Sequence, residues 1–215
     1  MADSILTLSL LETRILGTLI EKQRTVPDTY PLSLNTLLTG CNQKTSRNPV
    51  IEADEAEMVQ AIDVLKERGL VCEVSGSRVV RFAHDLEKVL TIPKQASALL
   101  AVLMLRGAQT AGELRLNCER LHKFADISAV EAFLDELACR LEGALVVELP
   151  RLPGARENRW MHLLSGEIAL EAPLRGPNAA AASSSQEIEH LRLRVSALEA
   201  DVAELRAMLR LLVHP

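Results

Sequence analysis

The sequence predicts a mainly helical α+β chain, with two tandem winged-helix domains followed by a C-terminal coiled-coil helix. Three observations predict it. Amphipathic helical segments come in threes, and each trio is closed by two short apolar runs around a turn. That order occurs twice before residue 166. Beyond a Pro-, Ala- and Ser-rich stretch, a heptad repeat runs to the end of the chain. The boundaries that follow are 1–90 and 91–166 for the two winged helices, 167–185 for a linker and 186–215 for a dimerisation helix. At 215 residues and 48% hydrophobic, the chain has enough apolar side chains for real cores.

In the first unit, Ser9-Leu10-Leu11-Glu12 has the form of a capping box, the serine accepting from the third helical N–H while the glutamate reaches back. Leu11, Ile15, Leu16, Leu19 and Ile20 then follow at helical spacing to about Lys22. Pro27 and Pro31 break the next stretch, because the residue before a proline is pushed out of the helical region. Ser33 caps a second helix with Leu34, Leu37, Leu38 and Cys41 inward, and a polar loop, Asn42 to Pro49, follows. A third helix over Asp54 to Arg68 buries Met58, Ile62 and Leu65 and stops at Gly69. Leu70–Val74, a Ser75-Gly76-Ser77 turn and Arg78–Phe82 complete a hairpin.

The second unit repeats the plan. Lys94 to Arg106 is an apolar first helix, and Thr110 begins a second with Leu114, Cys118 and Leu121 inward. Ser128-Ala129-Val130-Glu131 reads as a capping box for a third, with Val130, Phe133, Leu134, Leu137 and Leu141 inward. Leu145–Leu149, a loop with Pro150, Pro153 and Gly154, and Arg159–Leu164 form the closing hairpin. Leu16 corresponds to Leu99 and Gly69 to Gly143, so the spacing shrinks along the chain and the first unit carries the longer loops. From Gly166 to Ser185 the helical pattern fails.

The heptads are Ile188, Leu191, Val195, Leu198, Val202, Leu205, Leu209 and Leu212. Three of the four a positions are β-branched and every d position is leucine, the combination that favours a parallel two-stranded coil. In that register Glu187 meets Arg192, Arg194 meets Glu199 and Asp201 meets Arg206 of the second strand, all opposite in sign. The alternative is an amphipathic helix folded back on its own domain.

Asn42-Gln43-Lys44-Thr45-Ser46-Arg47-Asn48-Pro49-Val50, downstream of Tyr30-Pro31, resembles the YceH-like family of uncharacterised bacterial proteins. So do Gly112-Glu113-Leu114-Arg115 and Arg159-Trp160-Met161-His162-Leu163-Leu164-Ser165-Gly166. The resemblance covers residues 5 to 166 and continues into a heptad tail. It implies tandem winged helices and a bacterial source, and it implies no activity.

The residues suggest binding rather than chemistry. Nucleotide-loop, dinucleotide, zinc-protease and nucleophile-elbow signatures do not occur, and no catalytic residue or cofactor is expected. Cys118 and His122 stand four apart on a helix, but two ligands do not make a metal site, and His162 is expected to pack beside Trp160. Cys41, Cys72, Cys118 and Cys139 read as four small buried hydrophobes in a reducing compartment. The N-terminus has no basic residue before Arg14, and the apolar run Ala96–Leu105 is too short to cross a bilayer. A cytoplasmic protein with no membrane partner and no small-molecule substrate is expected.

Lys plus Arg number 24 against 29 acids, a net charge of -5, which excludes a nucleic-acid binder driven by bulk positive charge. Aromatics at 2% argue against base-stacking platforms. Two readings remain. In the first, DNA is held through its phosphates by Lys44 and Arg47 in the long loop, Arg78 and Arg81 in the first wing, and Arg151, Arg156 and Arg159 in the second. The alternative for Lys44 and Arg47 is structural, pairing with Glu52 or Asp54. In the second reading the acidic third helices, with Glu57, Asp63 and Glu67 in one unit and Glu131, Asp135 and Glu142 in the other, present themselves to a basic protein partner.

Overall fold

A computed structural model describes residues 7–74, 79–152 and 154–166. The Ser75-Gly76-Ser77 turn, Arg78, Pro153, the linker and the heptad residues lie outside the described residues. Described elements make a mixed α+β fold, dominated by helix with two small sheets.

Helix α1 (Leu10–Thr25) opens on the Ser9/Glu12 capping box, with both reciprocal hydrogen bonds made. One 3-10 turn (Pro27–Thr29) leads to a two-residue strand, β1 (Leu32–Ser33), and to α2 (Leu34–Cys41), capped by the Ser33 hydroxyl. Helix α3 (Glu55–Glu67) has its own capping box, Asp54 with Glu57, and stops before Gly69, whose φ of 71° is the left-handed geometry that a Cβ would penalise. Strands β2 (Val71–Val74) and β3 (Arg81–His84) follow. β3 lies in the middle of the first sheet, pairing Leu32 with Phe82 on one side and Val71 with His84 on the other. The expected closing strand is thus shifted toward the C-terminus, and β1 is an additional strand that two residues of sequence cannot announce.

A short helix, α4 (Leu86–Val89), fills the connection to α5 (Lys94–Arg106). Then come α6 (Ala111–Asn117), α7 (Ile127–Ala138), β4 (Val146–Leu149) and β5 (Arg159–His162). The second half reproduces the first in small particulars. Thr110 caps α6 as Ser33 caps α2, and the preceding residue, Gln109, bridges Trp160 as Leu32 bridges Phe82. Both closing strands read Arg–aromatic–x–His, Arg81-Phe82-Ala83-His84 and Arg159-Trp160-Met161-His162, with the aromatic and the histidine buried.

Two expectations in the second half need correction. The cap of α7 is Asp126, whose carboxylate accepts from the Ala129 N–H, so Ser128 sits inside the first turn and makes no capping box. Leu141 is not inward: α7 ends at Ala138, and Leu141 lies in the following turn with its whole side chain in solvent. The cysteines also divide. Cys41 and Cys118 are buried as expected, Cys72 is partly covered and Cys139, at the end of α7, is exposed.

The core is one cluster drawn from both halves. At its centre α1 lies against α5, and both are buried almost all round: Glu12 to Ile20 in one, Ala96 to Leu105 in the other. A helix that is apolar on every side must be enclosed by other elements, which is why α5 reads as a continuous apolar run. Gly17 lets the two axes approach. A Cβ there would stand 2.9 Å from Leu105 Cγ and 3.3 Å from the Ala101 carbonyl oxygen.

Candidate functional site

The loop Asn42–Val50, the most distinctive run of the sequence, is built around two buried arginines. Arg14 on α1 donates to the Cys41 carbonyl at 3.3 Å and to the Pro49 carbonyl at 2.5 Å. Arg47, inside the loop, donates to the Gly40 carbonyl and pairs with Glu21 at 2.7 Å. Both guanidinium groups therefore meet the C-terminal carbonyls of α2, where the helix dipole presents its negative end. Burial and the neighbouring Arg47 charge lower the pKa of Arg14. Burial works against the Glu21 carboxylate, but the Arg47 and Lys22 side chains outweigh it and hold its pKa below the ordinary range. Glu21 is the partner of Arg47; Glu52 and Asp54, both exposed, are not.

The same loop reaches both halves. Asn42 exchanges two hydrogen bonds with the Ala53 backbone. The Asn48 N–H donates to the Leu105 carbonyl, and Arg106 donates to the Ser46 hydroxyl at 2.8 Å. Internal bonding thus accounts for Asn42, Ser46, Arg47 and Asn48 in that run.

The seven predicted phosphate-holding cations fare unequally. Arg47 is buried and fully engaged, so it has nothing to offer a phosphate. Arg81 is turned inward to the carbonyls of Pro31 and Thr29, where it ties β3 to the turn before β1. Arg159, its counterpart on β5, is partly covered, and its Nε is buried without a partner. Lys44, Arg151 and Arg156 are exposed, the first in the long loop and the other two between β4 and β5. Arg78 lies outside the described residues.

Cations not picked out by sequence reasoning stand at the α6–α7 turn. Arg120 and Lys123 are exposed there. Arg24 donates to the carbonyls of Leu121 and Lys94, which brings the start of α5, with exposed Lys94, beside that turn. The signal was available in Arg120-Leu121-His122-Lys123, a basic run between two helices.

Helices α3 and α7 turn carboxylates outward. Asp54, Glu55, Glu57, Asp63 and Glu67 are exposed on the first, and Glu131, Asp135 and Glu136 on the second. Lys66 answers part of this charge, bridging Asp63 at 3.2 Å and Glu73 at 2.5 Å. Glu142, just beyond α7, pairs with Arg140.

The buried histidines are structural in their surroundings. His84 Nε2 lies 2.8 Å from the Gln23 side-chain oxygen, and the His84 N–H donates to the Tyr30 hydroxyl. Burial lowers the pKa of both His84 and His162 to about 4. His122 packs edge-on against Phe124, and the Cys118 thiol donates to the Ala98 carbonyl. Among the described residues no three metal-ligating side chains gather, and no helix is long and apolar enough to cross a membrane.

Residues 8–155 match the family described as "Protein of unknown function, DUF480". A UPF0502 protein of Dechloromonas aromatica (strain RCB) is 73% identical, covering 97% of each chain. Another, from Burkholderia pseudomallei (strain 668), is 59% identical over 95% of this chain and 87% of its own. A third, from Cupriavidus taiwanensis, is 59% identical over 92% and 82%. Two-thirds of the chain under one family description, and relatives similar end to end, place the protein: it belongs to the DUF480/UPF0502 family of uncharacterised bacterial proteins, with which the YceH-like resemblance agrees.

Proposed function

We propose that this protein is a non-catalytic, cytoplasmic adaptor: a tandem winged-helix chain, paired through its C-terminal heptads, that offers its acidic third helices to a basic protein partner. The order helix, short strand or bridge, helix, helix, hairpin in both halves supports the winged-helix reading. The observation that carries the adaptor reading is the charge on the two third helices. In a DNA-binding winged helix that element faces phosphates, and the outward carboxylates of α3 and α7 would repel them. Carboxylates facing a basic protein accelerate encounter and select the partner by sign.

DNA binding is the second reading, favoured by exposed Lys44, Arg151 and Arg156. Fluorescence anisotropy with a random duplex separates the two. On the adaptor reading, no binding is seen up to tens of micromolar at low salt, about the range in which DNA-binding proteins show nonspecific affinity. Affinity tighter than ~10⁻⁵ M, with a salt slope reduced in a Lys44→Ala/Arg151→Ala/Arg156→Ala variant, would establish the DNA reading instead. The adaptor reading further expects that a basic protein retained by the wild-type chain is lost from an Asp63→Lys/Asp135→Lys variant.

A further inference from the structure

A cleft of about 470 Å³ opens on the first half, between the C-terminal part of α1 and the outer face of α2. Lys22 and Val26 stand on the α1 side, Asn35, Thr36, Thr39 and Gln43 on the α2 side, and Leu32 and Gly40 lie between them. We propose that this cleft binds a small hydroxylated anion, a hydroxycarboxylate or a sugar or polyol phosphate, with Lys22 taking the charged group.

Three features point to that class. The first is the character of α2. Surface helices in this chain are charged, as α3 and α7 show, whereas α2 (Leu-Asn-Thr-Leu-Leu-Thr-Gly-Cys) carries no acid or base, and its exposed residues are Asn35, Thr36 and Thr39. That face offers the cleft an amide and hydroxyls with no charge of their own beside Lys22.

The second is the state of Lys22. Its ammonium has three donors, and its two partners are distant, Gln43 Oε1 at 3.4 Å and Glu21 Oε2 at 3.5 Å. That same Glu21 oxygen lies 2.7 Å from Arg47, so the guanidinium holds it more closely than Lys22 does. No carboxylate is among the described residues that line the cleft. An anion entering it meets one cation whose nearest carboxylate, Glu21, is shared with Arg47 and stands behind it rather than in the cleft wall.

The third is the orientation of the hydroxyls. Thr39 donates its own proton to the Asn35 carbonyl at 2.8 Å, and the Thr36 hydroxyl shares a hydrogen bond with Ser33. Thr39 therefore offers lone pairs to a ligand hydroxyl, while Lys22 and the Asn35 amide donate to the anionic group. Gly40 lets α2 lie close against α1 beneath the cleft. A Cβ there would stand 2.7 Å from the Thr18 methyl and 3.6 Å from Lys22 Cε.

The test is an NMR titration of the full-length ¹⁵N-labelled chain with sodium malate and with sodium glycerophosphate, each against sodium chloride at matched ionic strength. The expected result is saturable amide shifts centred on Lys22, Asn35, Thr39 and Gln43, with a midpoint below about 5 mM for at least one probe. Lys22→Met should raise that midpoint at least ~tenfold, and Thr39→Val a few-fold, about 1.4 kcal/mol being tenfold in affinity. Saturation by malate alone assigns a carboxylate, and by glycerophosphate alone a phosphate. Shifts that do not saturate with either probe, or that sodium chloride reproduces, overturn the proposal. So does an unchanged midpoint in Lys22→Met with a native spectrum. Should that variant unfold, an unchanged midpoint in Thr39→Val overturns it equally.

Discussion

Arg47 carries the cost of its own burial through Glu21 and the Gly40 carbonyl. Removing one partner of such a pair leaves the other charge without compensation. Arg47→Ala should therefore destabilise the fold by about 3–5 kcal/mol, whereas Lys44→Ala, three residues away and exposed, should cost within about 0.5 kcal/mol. Urea denaturation of the two variants checks this, and equal losses would contradict it. The histidines make a second residue-scale prediction. The neutral forms of His84 and His162 are favoured by folding, with pKa lowered to about 4, while the unfolded chain titrates near the ordinary 6.5. Between those values the unfolded state binds more protons, so this contribution to stability is complete above about pH 6.5 and is lost as pH falls toward 4. At 1.36 kcal/mol per pKa unit, each histidine accounts for roughly 3 kcal/mol. His84→Gln/His162→Gln should flatten the stability profile between pH 7 and 5, measured by denaturant melts, and an unchanged slope would place the acid sensitivity elsewhere.

Most helices were legible in the sequence because each combines a periodic apolar face with a cap. Ser9, Ser33, Asp54 and Thr110 all cap the helices that follow them. Where two capping residues compete within three positions, pattern alone picked the wrong one, since Asp126 and Ser128 both precede apolar residues and only backbone geometry separates them. Asp126→Ala should accordingly cost about 1 kcal/mol of stability, and Ser128→Ala close to nothing, in paired thermal melts. The candidate site was less legible. A lone arginine looks the same in sequence whether it faces water or, as Arg47 and Arg81 do, carbonyls brought near by the fold. Contacts of that kind come from residues far apart in the chain. The α1–α5 seam was likewise out of reach, because an apolar helix announces burial without naming its neighbour. Gly17→Ala tests that seam. With Leu105 and a carbonyl in the way, the added methyl should destabilise by about 1–3 kcal/mol, although alanine is the better helix former.

On the scale of the whole molecule, the heptads and the described fold make separate predictions. On the proposed pairing through the heptads, the wild-type chain should be a dimer and Val195→Asp/Val202→Asp a folded monomer, whose mass light scattering reports directly; a dimer that persists would move the interface into residues 1–166. The described residues share one core, so thermal unfolding of a 1–166 fragment should be a single transition with equal calorimetric and van't Hoff enthalpies. Two separated transitions would show that the halves melt independently.

The long loop has a geometric consequence. Ser46 and Asn48 fasten the first half to the end of α5, and Gly17 sets α1 hard against the same helix. Changing the angle between the halves means breaking those bonds and opening the core. The outward carboxylates of α3 and α7 thus stand at a fixed pitch, as the marks on a ruler do. On the proposed adaptor function, a partner gripping both would need its own basic segments spaced to that pitch, and the chain would select by distance as well as by charge.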